Sequence, residues 1–309
     1  MIAYKSVKAV APYVHPELLN FKTAVYEAWK RVGGQIAPPH YPARFLHHWA
    51  FRYELPMLWK SQKEARLRFV EPVSITFDTF PDYARYEIIP FVWDCWPRYF
   101  EKMYQWLERH QVKTAIFTSS QTAELMQQRF LEMNIMFCPE AVDVSCYHEG
   151  GLLKERSIDV LEFGRGSNLT FNAVRYVCTK VNGKFLYTNS QLYDAMADAK
   201  VTIALPRSLT QPEIAGDIET LTQRYWECML SRMLMVGHAP RELVDLIGYN
   251  PVIELDKANP NVQIQDILTH IDDYQELVDK NRETALRLGC WDKRMQNVMA
   301  WLRSCGYEV

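Results

Sequence analysis

Residues Glu219–Gly237 read ETLTQRYWECMLSRMLMVG, polar at both ends and apolar between. Glu219 and Glu227 stand eight positions apart. In one continuous helix that spacing turns the two carboxylates about 80° apart. If Glu219 instead lies in a loop and Thr222 is the N-cap, both can face one cleft, Glu219 from the loop and Glu227 from the first turns. The helix would then run through Tyr225, Trp226, Cys228, Met229, Leu230, Met233 and Leu234 to a stop at Gly237. An apolar helix with charge at its start suits a buried helix whose N-terminus meets an anion. A plain core helix with two surface carboxylates has the same spacing, so the surrounding sequence has to decide between them.

That surrounding sequence is an α/β pattern. IDVLEFGRG (158–166) is a buried-type strand running into a glycine turn at Gly164 and Gly166, with Arg165 between them. Glycines at a strand end let backbone approach a phosphate, and Arg165 adds a fixed positive charge. The reading continues with a helix near 168–180, a strand KFLYTN, a helix QLYDAMADAK, a strand VTIALPRS reaching Arg207, a long loop, and strands MLMVGH and PVIELD. Upstream, VSITF (73–77), EIIPFVW (87–93) and TAIFTSS (114–120) read as strands, the second ending at Asp94. Helices follow at 97–110 and after the Ser-Ser turn. Strands and helices alternating at this spacing make parallel sheets. The polar, glycine-containing stretch 143–157 reads as the division between domain 1–150 and domain 151–288. Residues 289–309 read as a helix that packs back on the first domain.

The N-terminal part is different in kind. Residues 16–32 read as a helix stopped by Gly33-Gly34. Residues 42–69 read as one or two helices broken near Pro56, with Arg44, His48 and Arg52 beside Phe45, Trp49 and Tyr53. That pattern fits either a membrane-interface or acceptor-binding helix or an ordinary amphipathic one with a solvated basic side. His47 and His48 diverge by about 100° on a helix and do not form a metal pair. Residues 1–70 hold 11 Lys and Arg against 4 Glu, so in a chain of net charge −2 the remainder carries −9. A basic N-terminal part points to an anionic partner: a membrane surface, a phosphate-bearing acceptor or nucleic acid.

Composition narrows the classes. At 309 residues, 48% hydrophobic and 23% charged, the chain is an ordinary globular protein of about two domains. Seven scattered Cys without a CxxC pair read as reduced thiols of a cytoplasmic protein and not as a disulfide framework or zinc site. The N-terminus has too short an apolar run for a secretory signal, and no stretch is long enough to span a membrane.

Taken together, the two α/β domains, the strand-end Gly-Arg, and Thr222, Arg224, Tyr225-Trp226 and Glu227 opening an apolar helix resemble the retaining GT-B glycosyltransferases of the Glu-x7-Glu type. The resemblance covers most of residues 74–309. It implies two Rossmann-like parallel-sheet domains facing across a cleft, and transfer of a sugar from a nucleotide-sugar donor to a saccharide or lipid-linked acceptor in polysaccharide biosynthesis. It further implies no metal and no cofactor, since the nucleotide-diphosphate sugar is a substrate, and no nucleic-acid partner. The location implied is cytoplasmic, peripheral at the inner membrane face where residues 1–70 meet anionic lipid.

By the same resemblance, Glu227 binds the ribose hydroxyls and Glu219 the donor sugar. The Leu221 and Thr222 backbone holds the diphosphate, with Arg224 and Arg207 as further cations. Arg165 neutralises the leaving phosphate, flanked by Gly164 and Gly166, and Asp94 faces the acceptor as orienter or auxiliary base. The sequence departs from the family at Trp93, where a His is common, and at Leu169-Thr170-Phe171, where a Lys is common. A degenerate non-catalytic subunit and a sugar-nucleotide epimerase or hydrolase are the rival readings.

Overall fold

The computed structural model describes residues 5–12, 21–38, 52, 61–164, 174–177, 180–181, 184–185 and 188–309. The chain divides into two compact units. The first comprises Met1–Pro139, Gln211–Thr220 and Trp291–Val309, and the second Glu140–Thr210 and Leu221–Cys290. The division falls at 139/140 rather than 150, and Gln211–Thr220 groups with the first unit although sequence order would put it in the second.

The first unit is built on a parallel sheet. Its strands are β1 (Lys5–Val10), β2 (Ile36–Ala37), β3 (Glu64–Val70), β4 (Glu87–Val92), β5 (Thr114–Phe117) and β6 (Asn134–Phe137). The second unit begins with β7 (Ile158–Gly164), β8 (Val174–Val177), the short β9 (Lys180–Val181) and β10 (Lys184–Phe185). It continues with β11 (Ala199–Ala204), β12 (Leu234–Gly237) and β13 (Val252–Glu254), and the chain returns to the first unit for β14 (Tyr307–Glu308). The first sheet has the order β14-β1-β3-β4-β5-β6. Strand β2 pairs with the Ala9 end of β1, and β14 pairs with its Lys5 end. Two distant pieces of chain thus share one edge of β1, and β3 fills the other.

Two sequence expectations fail here. EARLRFV, whose first six residues end the stretch 42–69 read as one or two helices, is strand β3, with Ala65, Leu67 and Val70 fully buried. Its charges are accommodated singly: Arg66 reaches Glu64 at 2.8 Å and stacks over Tyr86, and Arg68 reaches Asp82 at 3.1 Å. VSITF, read as a strand, gives the helix Ile75–Thr79, because β1 and β4 already occupy both edges of β3. The segment becomes crossover, and its backbone groups are satisfied by helical turns.

The helix Trp291–Ser304 packs on the helix Phe21–Arg31 within this unit, and Arg31 meets Asp292 at 2.6 Å. Trp291 joins Phe91 and Trp93 in an aromatic cluster. The basic surplus of residues 1–70 is largely spent on carboxylates. Lys5, Lys22, Arg31 and Arg68 pair with Glu87, Glu71 and Asp78, Asp292 and Asp82. Lys8, Lys30 and Arg66 pair with Glu64 and Glu27. The helix expected around Arg44, His48 and Trp49 lies outside the described residues.

The second unit has the parallel order β13-β12-β11-β7-β8 and a two-stranded antiparallel piece, β9-β10. Alternate residues feed two cores. Leu161, Phe163, Met233 and Met235 point to one, and Val160, Leu234 and Val236 to the other. The helix expected near 168–180 gives way to β8, which pairs with β7 from Leu161↔Val174 to Gly164↔Val177. Strand order reverses between β7 and β11, so their carboxyl ends flank the topological switch point, where open α/β sheets hold ligands. The long loop expected after Arg207 contains two short helices, Arg207–Thr210 and Pro212–Ala215.

Candidate donor and acceptor sites

The stretch 219–237 is not one helix. The helix runs Gln223–Leu230, Arg232 turns through a left-handed φ of 55°, and the chain enters β12 at Leu234. The expected helical run to Gly237 therefore ends seven residues early. Leu234–Gly237 pairs instead with Val201–Ala204 of β11. Gly237 is required there because a Cβ would fall 1.8 Å from the Ala204 carbonyl oxygen.

Thr222 holds the N-cap position, but its side chain makes no capping bond. Two buried carboxylates serve the helix start. Glu242 accepts the Leu221 N–H at 2.7 Å, and Glu140 accepts the Gln223 N–H at 3.0 Å. The Leu221 N–H, expected to meet a diphosphate, is thus engaged inside the unit, as a buried donor must be. Glu140 also takes the Trp226 indole N–H on its backbone carbonyl at 2.7 Å. Trp226 in turn lies so close to Gly289 that a Cβ there would come within 3.0 Å of its ring.

Glu227 projects from the middle of this helix and accepts the Tyr147 hydroxyl at 2.9 Å. Burial pushes its carboxyl above the ordinary range, against the opposing effects of the Tyr147 bond and of Arg224. The same burial, with the Glu227 charge beside it, pushes the Tyr147 phenol well up. Arg224 donates to the Phe163 carbonyl at 3.2 Å, near the end of β7, and lies over the Phe163 ring. Gly164 ends β7, and Arg207 lies three residues past the end of β11, so both stand at the switch point. Arg165 and Gly166 lie outside the described residues.

Glu219 belongs to the other unit. Its N–H donates to Gln121 Oε1 at 2.8 Å, and Thr220 bonds the Thr118 carbonyl at 3.4 Å. Upstream, Ala215 and Ile218 pack on Trp96, and Gly216 lies against Pro97. Asp94, just past β4, adopts a left-handed φ of 51°. That conformation costs Asp less than most residues, and strained backbone gathers at functional sites. Its carboxylate accepts the Trp96 indole at 3.1 Å and lines a small cavity with Thr118, Ser119, Thr122 and Thr220. The two glutamates of the motif are therefore held by different units, Glu219 beside the Asp94 cavity and Glu227 in the second unit.

Sequence reasoning missed Tyr147, Glu140 and Glu242. Tyr147 lay in the stretch read as a domain boundary, and its partner is 80 residues away. Among the described residues no three His, Cys, Asp or Glu side chains gather as a metal site, and no helix is long and apolar enough to cross a membrane.

No family model matches the sequence, and no curated protein matches it. Solved structures do. The chain is 11% identical to a sucrose-phosphate synthase from Thermosynechococcus elongatus, at a TM-score of 0.56 over 97% of this chain and 99% of that one. It is 12% identical to AviGT4, a glycosyltransferase involved in avilamycin A biosynthesis, at 0.54 over 97% and 98%. It is 9% identical to an alpha-glucosyltransferase solved with UDP and a 13-mer DNA, at 0.53 over 97% and 100%. The shared architecture, two Rossmann-like α/β domains with parallel sheets, is the GT-B fold.

Proposed function

We propose that the chain is a glycosyltransferase that moves a sugar from a nucleotide-sugar donor to a saccharide or lipid-linked acceptor, with retention and without a metal. The observation that carries this reading is Glu227: a carboxylate on a helix that starts at the carboxyl edge of a parallel sheet, held by the Tyr147 hydroxyl, in a GT-B fold. A carboxylate suits two vicinal ribose hydroxyls because it accepts both O–H bonds. Burial favours this use, since bound hydroxyls replace the water that Glu227 has lost.

In the proposed reaction the bond from the anomeric carbon to the diphosphate breaks, and the electron pair stays on the phosphate oxygen. The acceptor oxygen bonds to that carbon from the same face, and its proton passes to the departing phosphate. Arg165, Arg207 and Arg224 supply positive charge to the leaving group, Glu219 takes donor-sugar hydroxyls, and Asp94 orients the acceptor hydroxyl. Attraction to an anionic membrane would come from the basic surplus of residues 1–70, 11 Lys and Arg against 4 Glu.

A second reading, a degenerate GT-B subunit without activity, draws on the helix start: Glu140 already occupies the Gln223 N–H of its first turn, and Glu242 the Leu221 N–H just before its N-cap. Thermal-shift screening against UDP-, GDP-, dTDP- and CMP-sugars separates the two. Stabilisation by one nucleotide class, with sugar release or transfer, supports the enzyme. No shift with any of them supports the subunit.

A further inference from the structure

The Glu227 carboxylate has one hydrogen-bond partner among the described residues, the Tyr147 hydroxyl at 2.9 Å. That tyrosine is held by its backbone and by its ring. Asp143 starts the turn Val144–Cys146 by accepting the Ser145 N–H at 3.1 Å and the Ser145 hydroxyl at 2.6 Å, and Tyr147 follows directly. Its ring lies in the core with Tyr225 and Trp226 and meets the Tyr193 ring edge-on at 5.0 Å. Tyr193 comes from the helix Asn189–Ala197, so turn and helix together aim the phenol. Only the hydroxyl of such a ring needs a polar partner, and Glu227 Oε1 is that partner.

Two effects compete at the carboxylate. Burial favours the neutral acid, while the donated O–H and the Arg224 charge favour the anion. Arg224 is divided, since it also donates to the Phe163 carbonyl. The elements around Glu227 bring it no other ionic partner among the described residues. The Tyr193 phenol and the Cys146 and Cys228 thiols are pushed up by burial and stay neutral. Asp143 acts on Tyr193 and Cys146. On the helix Gln275–Leu288, which packs against the Glu227 helix, Arg282 turns to the Leu230 carbonyl and to Glu149. Strand β11 carries Lys200, paired with Asp159 at 2.6 Å, and β12 carries no charge. A carboxylate has about four acceptor sites, so with one taken by Tyr147 three remain for two ribose hydroxyls. Protonation replaces an acceptor with a donor and spoils that match.

We propose that Tyr147 is a positioning residue of the donor site: its hydroxyl keeps Glu227 a carboxylate with one oxygen engaged, and so sets the lowest pH at which the donor's ribose is held. The proposal rests on the donor reading above. Ribose binding is lost as pH falls and Glu227 takes up a proton. Without the Tyr147 hydroxyl, burial meets less opposition, and the loss comes at higher pH.

The test compares wild type, Tyr147→Phe and Tyr193→Phe. NMR of isotope-labelled glutamate carboxyls, with Glu227 assigned from Glu227→Gln, follows its titration without ligand. Equilibrium titration with uridine, guanosine, thymidine and cytidine, which carry no phosphate, follows binding from pH 5 to pH 8. In Tyr147→Phe, Glu227 should titrate about one pH unit higher than in wild type, as one charge-assisted hydrogen bond is lost. The nucleoside affinity of this variant, relative to wild type, should be up to about tenfold lower at pH 5 than at pH 8. Tyr193→Phe removes a neighbouring hydroxyl that is not bonded to Glu227, and should move the titration far less. The same Glu227 titration in wild type and Tyr147→Phe, or an affinity loss equal at every pH, overturns the proposal. An unshifted titration in a protein that binds nucleosides sinks this proposal alone. A shifted titration in a protein that binds no nucleoside or nucleoside diphosphate sinks the donor reading alone. An unshifted titration without binding sinks both.

Discussion

Glu219 and Glu227 are eight residues apart in the chain and are held by opposite means. Glu227 is fixed through its side chain, by a buried tyrosine hydroxyl, on a helix whose start is tied to Glu140 and Glu242 within the second unit. Glu219 is fixed through its backbone, by Gln121, in a segment that the first unit claims along with Asp94. One short motif thus serves two bodies. Closeness in sequence does not decide which body carries a residue; the fold does. On this account, damage to Asp94 or Gln121 should act on the acceptor side of the reaction, and damage to Glu227 on nucleotide binding.

The largest expected effect tests the first region. Asp94→Asn should lower kcat about 100-fold, within the range for a positioned acid–base group, with nucleotide affinity unchanged. Steady-state rates beside nucleotide titration check this, and a parallel fall in nucleotide affinity would break the separation between regions. Next in size, Glu227→Ala should weaken nucleoside and nucleoside-diphosphate binding alike, by about 10- to 100-fold, since hydrogen bonds to a charged group are lost. Gln121→Ala should be milder. A loss of a few-fold in kcat/KM with unchanged nucleoside affinity fits one lost neutral hydrogen bond. A loss of nucleoside affinity instead would assign Gln121, and with it Glu219, to the donor side.

The smallest effect is on stability. The Glu227 carboxyl is raised by burial, so its protonated form is favoured in the folded state. That contribution is full in acid, below the unfolded carboxylate value, and is lost as pH rises through the raised folded value. Glu227→Gln keeps an acceptor for Tyr147 and removes the buried charge. Its Tm relative to wild type should therefore rise between pH 4 and pH 7, and a constant difference across that range would refute the raised carboxyl.

How much the sequence showed depends on burial. EIIPFVW and TAIF are apolar runs because both faces of a parallel sheet are covered, and each forms a strand at its expected place. EARLRFV hides the same burial behind Arg66 and Arg68, which need partners that local pattern does not reveal. VSITF has the residues of a strand, but β1 and β4 take both edges of β3, the strand it follows. Strands β1 and β14 pair across almost the whole chain, Lys5 with Tyr307 and Ser6 with Glu308. At the site, an acid inside an apolar helix singles out Glu227 at once. Tyr147, Glu140 and Glu242 come from elsewhere in the sequence, and no local spacing announces a hydrogen bond between residues that only the fold brings together.

The central claim is that the second unit binds the nucleotide of a sugar donor through Glu227. Calorimetric titration of wild type and Glu227→Gln with UDP, GDP, dTDP and CMP tests it most directly. The account predicts one-to-one binding of at least one of these by wild type and a loss of about tenfold or more in Glu227→Gln. Binding of equal strength by the two proteins, or by neither, would contradict it.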